Sequence, residues 1–398
     1  MKRSCLVSDS ESTVVQTIFF CLKSSFMLTS VMLLHIQRAG EASLAIDERL
    51  KARETSAKTI AAVYGYVAHW SKSLHTLEKP LLYGQQIGFE TGEVDMACHC
   101  MIILGLSRFF TASRPLDMLS RDIESHVHTM KEHKLDTYVG YLSVLWQTVL
   151  CLSGKSENPM KLTGKAMDED RVYKVAIETK NRLLMGMMHS LKMQLAYLLG
   201  DYKAAASYAA LTSDFGVSVG QGAVLIPAHF FYRGLSMAAL SILGKDTRKN
   251  TQGAQQAMKT LQKWSSKGNV NCLHMVKLLE AELAVIRNKP NASDLYKEAV
   301  NVAGRNGFMQ DKGLAHYRSA LFHLSKNDSY WASYNLDNAI QCFHDWGATA
   351  VSSHLVATHG SFLQNAECSS EFIRKLVANF STTQGQSKEA PVDPPTGS

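Results

Sequence analysis

Proline is scarce in this chain, at 8 of 398 residues, and runs in which β-branched and polar residues alternate are nearly absent. A sheet protein needs such runs, so their lack leaves all-α as the natural class. Paired cysteine motifs are missing too. The 8 cysteines stand at 5, 21, 98, 100, 151, 272, 342 and 368 without a CxxC pair, which gives no disulfide framework and no finger-type metal site. Most lie in apolar helical stretches, where a free thiol packs as a small hydrophobe, and a reduced, cytoplasmic compartment is expected. Charge is thin as well. Charged residues make up 19% of the chain, the net charge is +7, and Lys and Arg are dispersed rather than clustered with aromatics, so no nucleic-acid surface is indicated.

What the chain does have is 46% hydrophobic content arranged at helical spacing. In MMHSLKMQLAYLLGDYKAAASYAALTSDF, Leu191, Leu195, Leu198 and Leu199 fall at i, i+4, i+7 and i+8, which gives one apolar helix face. Gly200 stops that helix and Asp201 can cap the next, where Tyr202, Ala205, Ala206, Ala209 and Ala210 offer a small-residue face. Such a hairpin cannot bury both faces alone. It needs neighbours of its own kind, the logic of stacked helical repeats. Two more hairpins follow, at 272–304 with a break at Lys289-Pro290-Asn291, and at 313–346 with a break at Ser325-Lys326-Asn327-Asp328. Asn288 and Lys326 are about 38 residues apart, near the period of tetratricopeptide hairpins. The expectation is an all-α, tetratricopeptide-like α-solenoid of about fourteen helices in antiparallel pairs.

Residues 1–13 read as a disordered lead, 14–380 as the solenoid with a joint at 153–170, and 381–398 as a disordered tail. The apolar stretch 14–36 is interrupted by Gln16, Lys23, two serines and His35, so a buried repeat helix is favoured over a targeting segment and no membrane span is expected. Helices are then expected at 43–54, 56–73, 79–92, 93–110, 114–133 and 135–152, a surface loop at 154–170, a flexible joint at 216–222, and helices at 225–244, 252–265 and 370–380.

No catalytic, cofactor-binding or metal-ligating residue is assigned. Cys98-His99-Cys100 reads as buried helix surface, since adjacent helical residues diverge and no second ligand pair follows. Gly154-Lys155-Ser156 resembles the tail of a phosphate loop, but Val149 occupies the place of the required glycine. Asp168-Glu169-Asp170 reads as a solvated helix start before a cation site, and His229 as a packed ring before a base. Lys192 and Gln194, on the polar side of their helix, are candidate lining residues of a recognition groove, with ordinary solvated surface as the competing reading.

Several phrases go further. His69-Trp70 with TLEKPLLYGQQIGFETGEVDMA (76–97), LSGKSENPMKLTGKAMDED (152–170), LAYLLGDYKAAASYAAL (195–211), KWSSKGNVNCLHMVKLLEAELAVI (263–286) and YRSALFHLSKNDSYWASYNLDNAIQCFHDWGATA (317–350) resemble the helical region of very large multi-domain signalling kinases. That family joins a serine/threonine-kinase-like domain, an AAA-type ATPase module, a long tetratricopeptide-like region, then GAF or other sensor domains and often a histidine kinase. The resemblance covers about residues 40–350. Because the chain lacks the Gly-rich kinase loop, HRD, DFG, a nucleotide-binding loop and an ATP lid, it implies the helical middle alone. The implied role is non-enzymatic: a scaffold or regulatory region contacting proteins or peptides, including kinase or ATPase modules. The alternative is a helical regulator that senses a small molecule in its concave face.

Overall fold

The computed structural model describes residues 30–50, 53–212, 223–365 and 370–386. The expected lead 1–13, most of the apolar stretch (14–29), the joint 216–222 and the tail beyond 386 lie outside the described residues. Within them there are seventeen α-helices and no strand. They are α1 (Ser30–Leu50), α2 (Arg53–Tyr66), α3 (Glu78–Thr91), α4 (Val94–Thr111), α5 (Leu116–Glu132), α6 (Asp136–Leu152), α7 (Glu169–Glu178), α8 (Arg182–Leu198) and α9 (Tyr202–Leu211). There follow α10 (Ile226–Ile242), α11 (Thr247–Ser265), α12 (Leu273–Ile286), α13 (Ala292–Arg305), α14 (Met309–Ser325), α15 (Ser329–Trp346), α16 (Thr349–Asn365) and α17 (Glu371–Gln386). Neighbours pack as hairpins, α3 with α4, α5 with α6, and then in steps of two from α8–α9 to α16–α17.

The hairpin turns follow from local chemistry. Gly200 takes φ +80°, and Asp201 accepts the Ala204 N–H at 2.8 Å to start α9, as a left-handed stop and an Asp cap require. At α12 and α14 the left-handed residue is Asn288 or Asn327, the amide side chain making that backbone tolerable. The stop therefore precedes Pro290.

The architecture is an all-α solenoid of adjacent pairs, wound tightly enough for its turns to touch. Asn271 Nδ2 donates to the carbonyls of His69 (2.8 Å) and Lys72 (3.0 Å), and its Oδ1 accepts the Leu74 N–H at 3.0 Å, across sequence separations of 202, 199 and 197. Gln310 donates to the Phe110 carbonyl across 200 residues, and Thr349 to the Ser153 carbonyl at 2.6 Å across 196. A near-constant offset along both stretches means they run parallel, so one superhelical turn takes about 200 residues. Trp70 meets Trp264 edge-on at 5.2 Å and Phe109 meets Trp346 at 5.7 Å in this seam. One apolar cluster consequently runs from Ala57 to Val377.

Three expectations are corrected. The helix expected at 56–73 ends at Tyr66, because the backbone at 69–74 satisfies its polar groups on Asn271 instead of on a further helical turn. The helix expected at 43–54 begins by Ser30 and stops at Leu50. The first six residues of the expected tail, 381–386, continue α17. The loop 154–168 lies at the surface as expected and is anchored there by Leu162, which is fully buried, and by Gln147, which donates to the Thr163 carbonyl (3.2 Å) and accepts the Ala166 N–H (3.0 Å). Among the described residues one helix, α4, is long and apolar enough to cross a membrane, and 78% of it is buried inside the protein.

Asn271→Ala is expected to destabilise the chain by about 2–3 kcal/mol, since three buried backbone groups would lose their partner. Urea unfolding checks this. A midpoint shift no larger than that of Asn250→Ala, on the exposed end of α11, would contradict the seam.

Candidate functional site

The sequence places Lys192 and Gln194 on a solvated groove; the structure buries both. Lys192 is 9% exposed and Gln194 3%. Lys192 Nζ pairs with Glu169 and lies 5.0 Å from the Tyr208 ring centroid, while Gln194 Nε2 donates to the Tyr232 hydroxyl at 3.3 Å. Helical period reports which face a residue occupies, but not that α7 and α10 would fold over that face. The acidic run is the helix start the sequence indicates, with Asp168 and Asp170 exposed. Asp168 caps α7 by accepting the Arg171 N–H at 2.8 Å, Glu169 accepts from Leu162 N–H and Lys192, and Asp170 pairs with Lys161 at 2.7 Å. Every carboxylate is engaged by the protein itself. Among the described residues no three His, Cys, Asp or Glu side chains converge as a metal site.

The inward face of the later hairpins is polar and filled. Arg318 (α14) forks onto Glu282 (α12), with Nε to Oε1 at 2.8 Å and Nη2 to Oε2 at 2.7 Å. Tyr296 (α13) donates to the same Oε1 at 2.8 Å, and Arg318 Nη1 reaches the Tyr202 hydroxyl (α9) at 3.2 Å. Both charges are buried, Glu282 completely. Burial and the Glu282 charge hold the Tyr296 hydroxyl well above its ordinary pKa. Each charge has its counter-charge and hydrogen bonds, the condition under which a buried pair persists.

A second inward pair has the components of a base. His274 Nε2 lies 2.8 Å from Asp311 Oδ2, and its ring stacks on Phe308 at 4.1 Å between centroids. The opposite nitrogen, Nδ1, is buried with no hydrogen-bond partner. A nucleophile would have to bond there for triad chemistry, and no hydroxyl or thiol does.

Other histidines are held neutral by burial. Desolvation drives His69 and His229 down to about 3 and His99, His126 and His316 to about 4, because the charged ring cannot be hydrated there. His229 accepts or donates at Ser190 Oγ (3.2 Å) and stands at right angles to Phe230, a packed ring as the sequence indicates. Cys98 and Cys100 are buried, and His99 bonds the Tyr66 hydroxyl at 3.0 Å. The void beside this pair, lined also by Ile103, Tyr141 and Val224, is about 70 Å³.

Two features face outward. A cleft of about 610 Å³ lies between α1, α2 and α3, lined by Leu44, Asp47, Glu48, Arg53, Ser56, Ile60, Tyr64, Pro80 and Tyr83. On the far end, the first turns of α15 expose Tyr330 (59%), Trp331 (38%) and Tyr334 (45%), successive rings standing edge-on at 5.4 and 5.5 Å. Asp328 sets this ridge: Oδ1 accepts the Trp331 N–H at 3.2 Å and Oδ2 lies 2.9 Å from His323 Nδ1. Lys297 Nζ stands 5.3 Å from the Trp331 ring centroid. Sequence reading missed both features. The ridge had a legible signal, three aromatics within six residues of a capping Asp.

No protein-family model matches the chain, and no curated protein matches it. Among solved structures that match is a circular tandem repeat protein with novel repeat topology and enhanced subunit contact surfaces. It is 11% identical, with 97% of this chain and 99% of that chain covered and a TM-score of 0.21. A likeness that distant adds nothing to the architecture described above.

Proposed function

We propose that the chain is a non-catalytic helical-repeat scaffold or regulatory region that binds protein partners through its outer face, in a cytoplasmic setting. The observation that carries this reading is the α15 ridge. Large Tyr and Trp surfaces normally cost free energy in water, and they are the residue types that dominate protein–protein binding energy. A rigid Asp328 cap pre-orders them, which lowers the entropic cost of association. The five buried, free cysteines of the described residues are compatible with a reducing compartment.

The resemblance to the helical middle of signal-transduction kinases implies kinase or ATPase modules as partners. The interior supports contact on the outside over ligand sensing within the fold: Gln194, Glu282 and Arg318 are buried and engaged by the protein's own side chains. The void beside His99 falls well short of the roughly 300 Å³ a ligand pocket requires.

Isothermal titration of a kinase or ATPase module of the resembled family, made as a separate chain, tests the reading. Trp331→Ala/Tyr334→Ala is expected to weaken binding at least ~100-fold, on the scale of two hot-spot residues, with an unchanged Tm. Binding that survives the double substitution, or is absent with the parent chain, would reject the ridge as the contact surface.

A further inference from the structure

We infer that the exposed face of α11 is a peripheral docking surface for an anionic lipid bilayer. Arg248, Lys249, Gln252, Gln256, Lys259 and Lys263 recur at i, i+1, i+4, i+8, i+11 and i+15, which gathers them on one face of a helix. Ala254, Ala257 and Leu261 hold the opposite face in the core. Lys245 and Lys267 flank the stripe, and Asp246 is the only acid between Leu243 and Asn271. Cations too widely spaced to form a run in the sequence are thus aligned along a helix about 28 Å long.

The charge of this face is unbalanced. Elsewhere on the surface lysines meet carboxylates, Lys161 with Asp170, Lys165 with Glu124, Lys297 with Asp294 and Lys375 with Glu371. Lys245, Arg248, Lys249 and Lys259 are exposed and stand in no ion pair among the described residues. The Lys267 amine is held below its ordinary pKa by desolvation and by the Lys263 charge, so the stripe carries like charges near enough to repel. A polyanion relieves that repulsion. Apolar tips select which polyanion. Ile242 and Leu243, the latter 59% exposed, stand just before the stripe, and the exposed Val270 and Leu273 just after it. A lipid headgroup layer accepts both kinds of side chain, with long-stemmed amines at the phosphates and aliphatic tips beneath them. Single-stranded nucleic acid asks for rings on which bases stack, and the one aromatic ring of α11, Trp264, is turned inward against Trp70 and Phe230.

Sedimentation of the full chain with lipid vesicles tests this. Vesicles of phosphatidylcholine and phosphatidylserine in equal parts are expected to carry the protein down, and phosphatidylcholine alone to leave it in solution. Salt at about 1 M, where charges are felt over only about 3 Å, should release it. Arg248→Gln/Lys249→Gln/Lys259→Gln is expected to weaken binding about 100-fold through the loss of three cations. These positions are exposed and Gln forms helix as readily as Lys, so Tm should not move. Lys249→Arg/Lys259→Arg should bind as the parent chain does. Leu243→Gln is expected to weaken binding about tenfold by removing an inserted aliphatic tip. No binding, equal binding to the two vesicle types, or a triple variant that binds like the parent would overturn the proposal. So would duplex DNA or polyglutamate bound more tightly than the vesicles and indifferent to Leu243→Gln, because the stripe would then serve another polyanion.

Discussion

Lowering the pH from 7.5 to 5 is expected to remove about 6 kcal/mol of folding stability through His69, His229 and His316 alone. All three are at most 5% exposed, and burial lowers them to about 3, 3 and 4. The unfolded chain binds its histidine protons near pH 6.5, the folded chain only far below that. Stability is therefore complete above pH 6.5 and declines as the pH falls toward 4, each ring contributing about 1.4 kcal/mol per pH unit. His99 and His126 act in the same direction. Glu93 and Asp337 are raised by burial, so they oppose the loss and cannot cause it. Domains have about 5–15 kcal/mol in total, so unfolding near pH 5 is the predicted result. Denaturant midpoints followed by circular dichroism at pH 7.5 and 5 check it, and His69→Phe should flatten the dependence. Equal midpoints would show that these rings are hydrated.

Removing one side of the Glu282–Arg318 pair is expected to cost about 3–5 kcal/mol, because the remaining charge is stranded without water. Glu282→Gln strands Arg318, and Arg318→Met strands Glu282. Tyr296 and Tyr202 would each lose a charged partner as well. Glu282→Leu/Arg318→Met removes both charges together and is expected to recover most of that loss. The cycle reads out in urea midpoints. If both single variants and the double variant were equally stable, the pair would be solvated, and the inward face would again be open to a ligand.

Much of the fold was legible because turns are local. Gly200-Asp201, Gly92, Pro115 and Gly347 mark helix ends through backbone conformations that their own residue types favour, and each stands at an observed boundary. Lys192 and Gln194 were misplaced because a polar residue at helical spacing looks the same whether water or a buried partner satisfies it. The seam was invisible for a related reason. Period shows that Trp70, Phe109 and Trp346 are buried, but nothing near Asn271 announces carbonyls about 200 residues away. Among the described residues seventeen helices stand against the expected fourteen, with α7 (Glu169–Glu178) inside the stretch read as a loop and its flank, and α16 (Thr349–Asn365) in a stretch where no helix is expected. Of the outward features, the cleft depends on three helices at once and no single window of sequence contains it.

The seam also constrains how the protein is made. As the chain leaves the ribosome, Trp70 and the carbonyls of His69 and Lys72 emerge long before Asn271 and Trp264 exist to receive them. The first superhelical turn must then wait, with an apolar flank uncovered, for synthesis of about 200 further residues. At about 5–20 residues per second that is an interval of roughly 10–40 seconds, during which a nascent-chain chaperone would find its natural substrate.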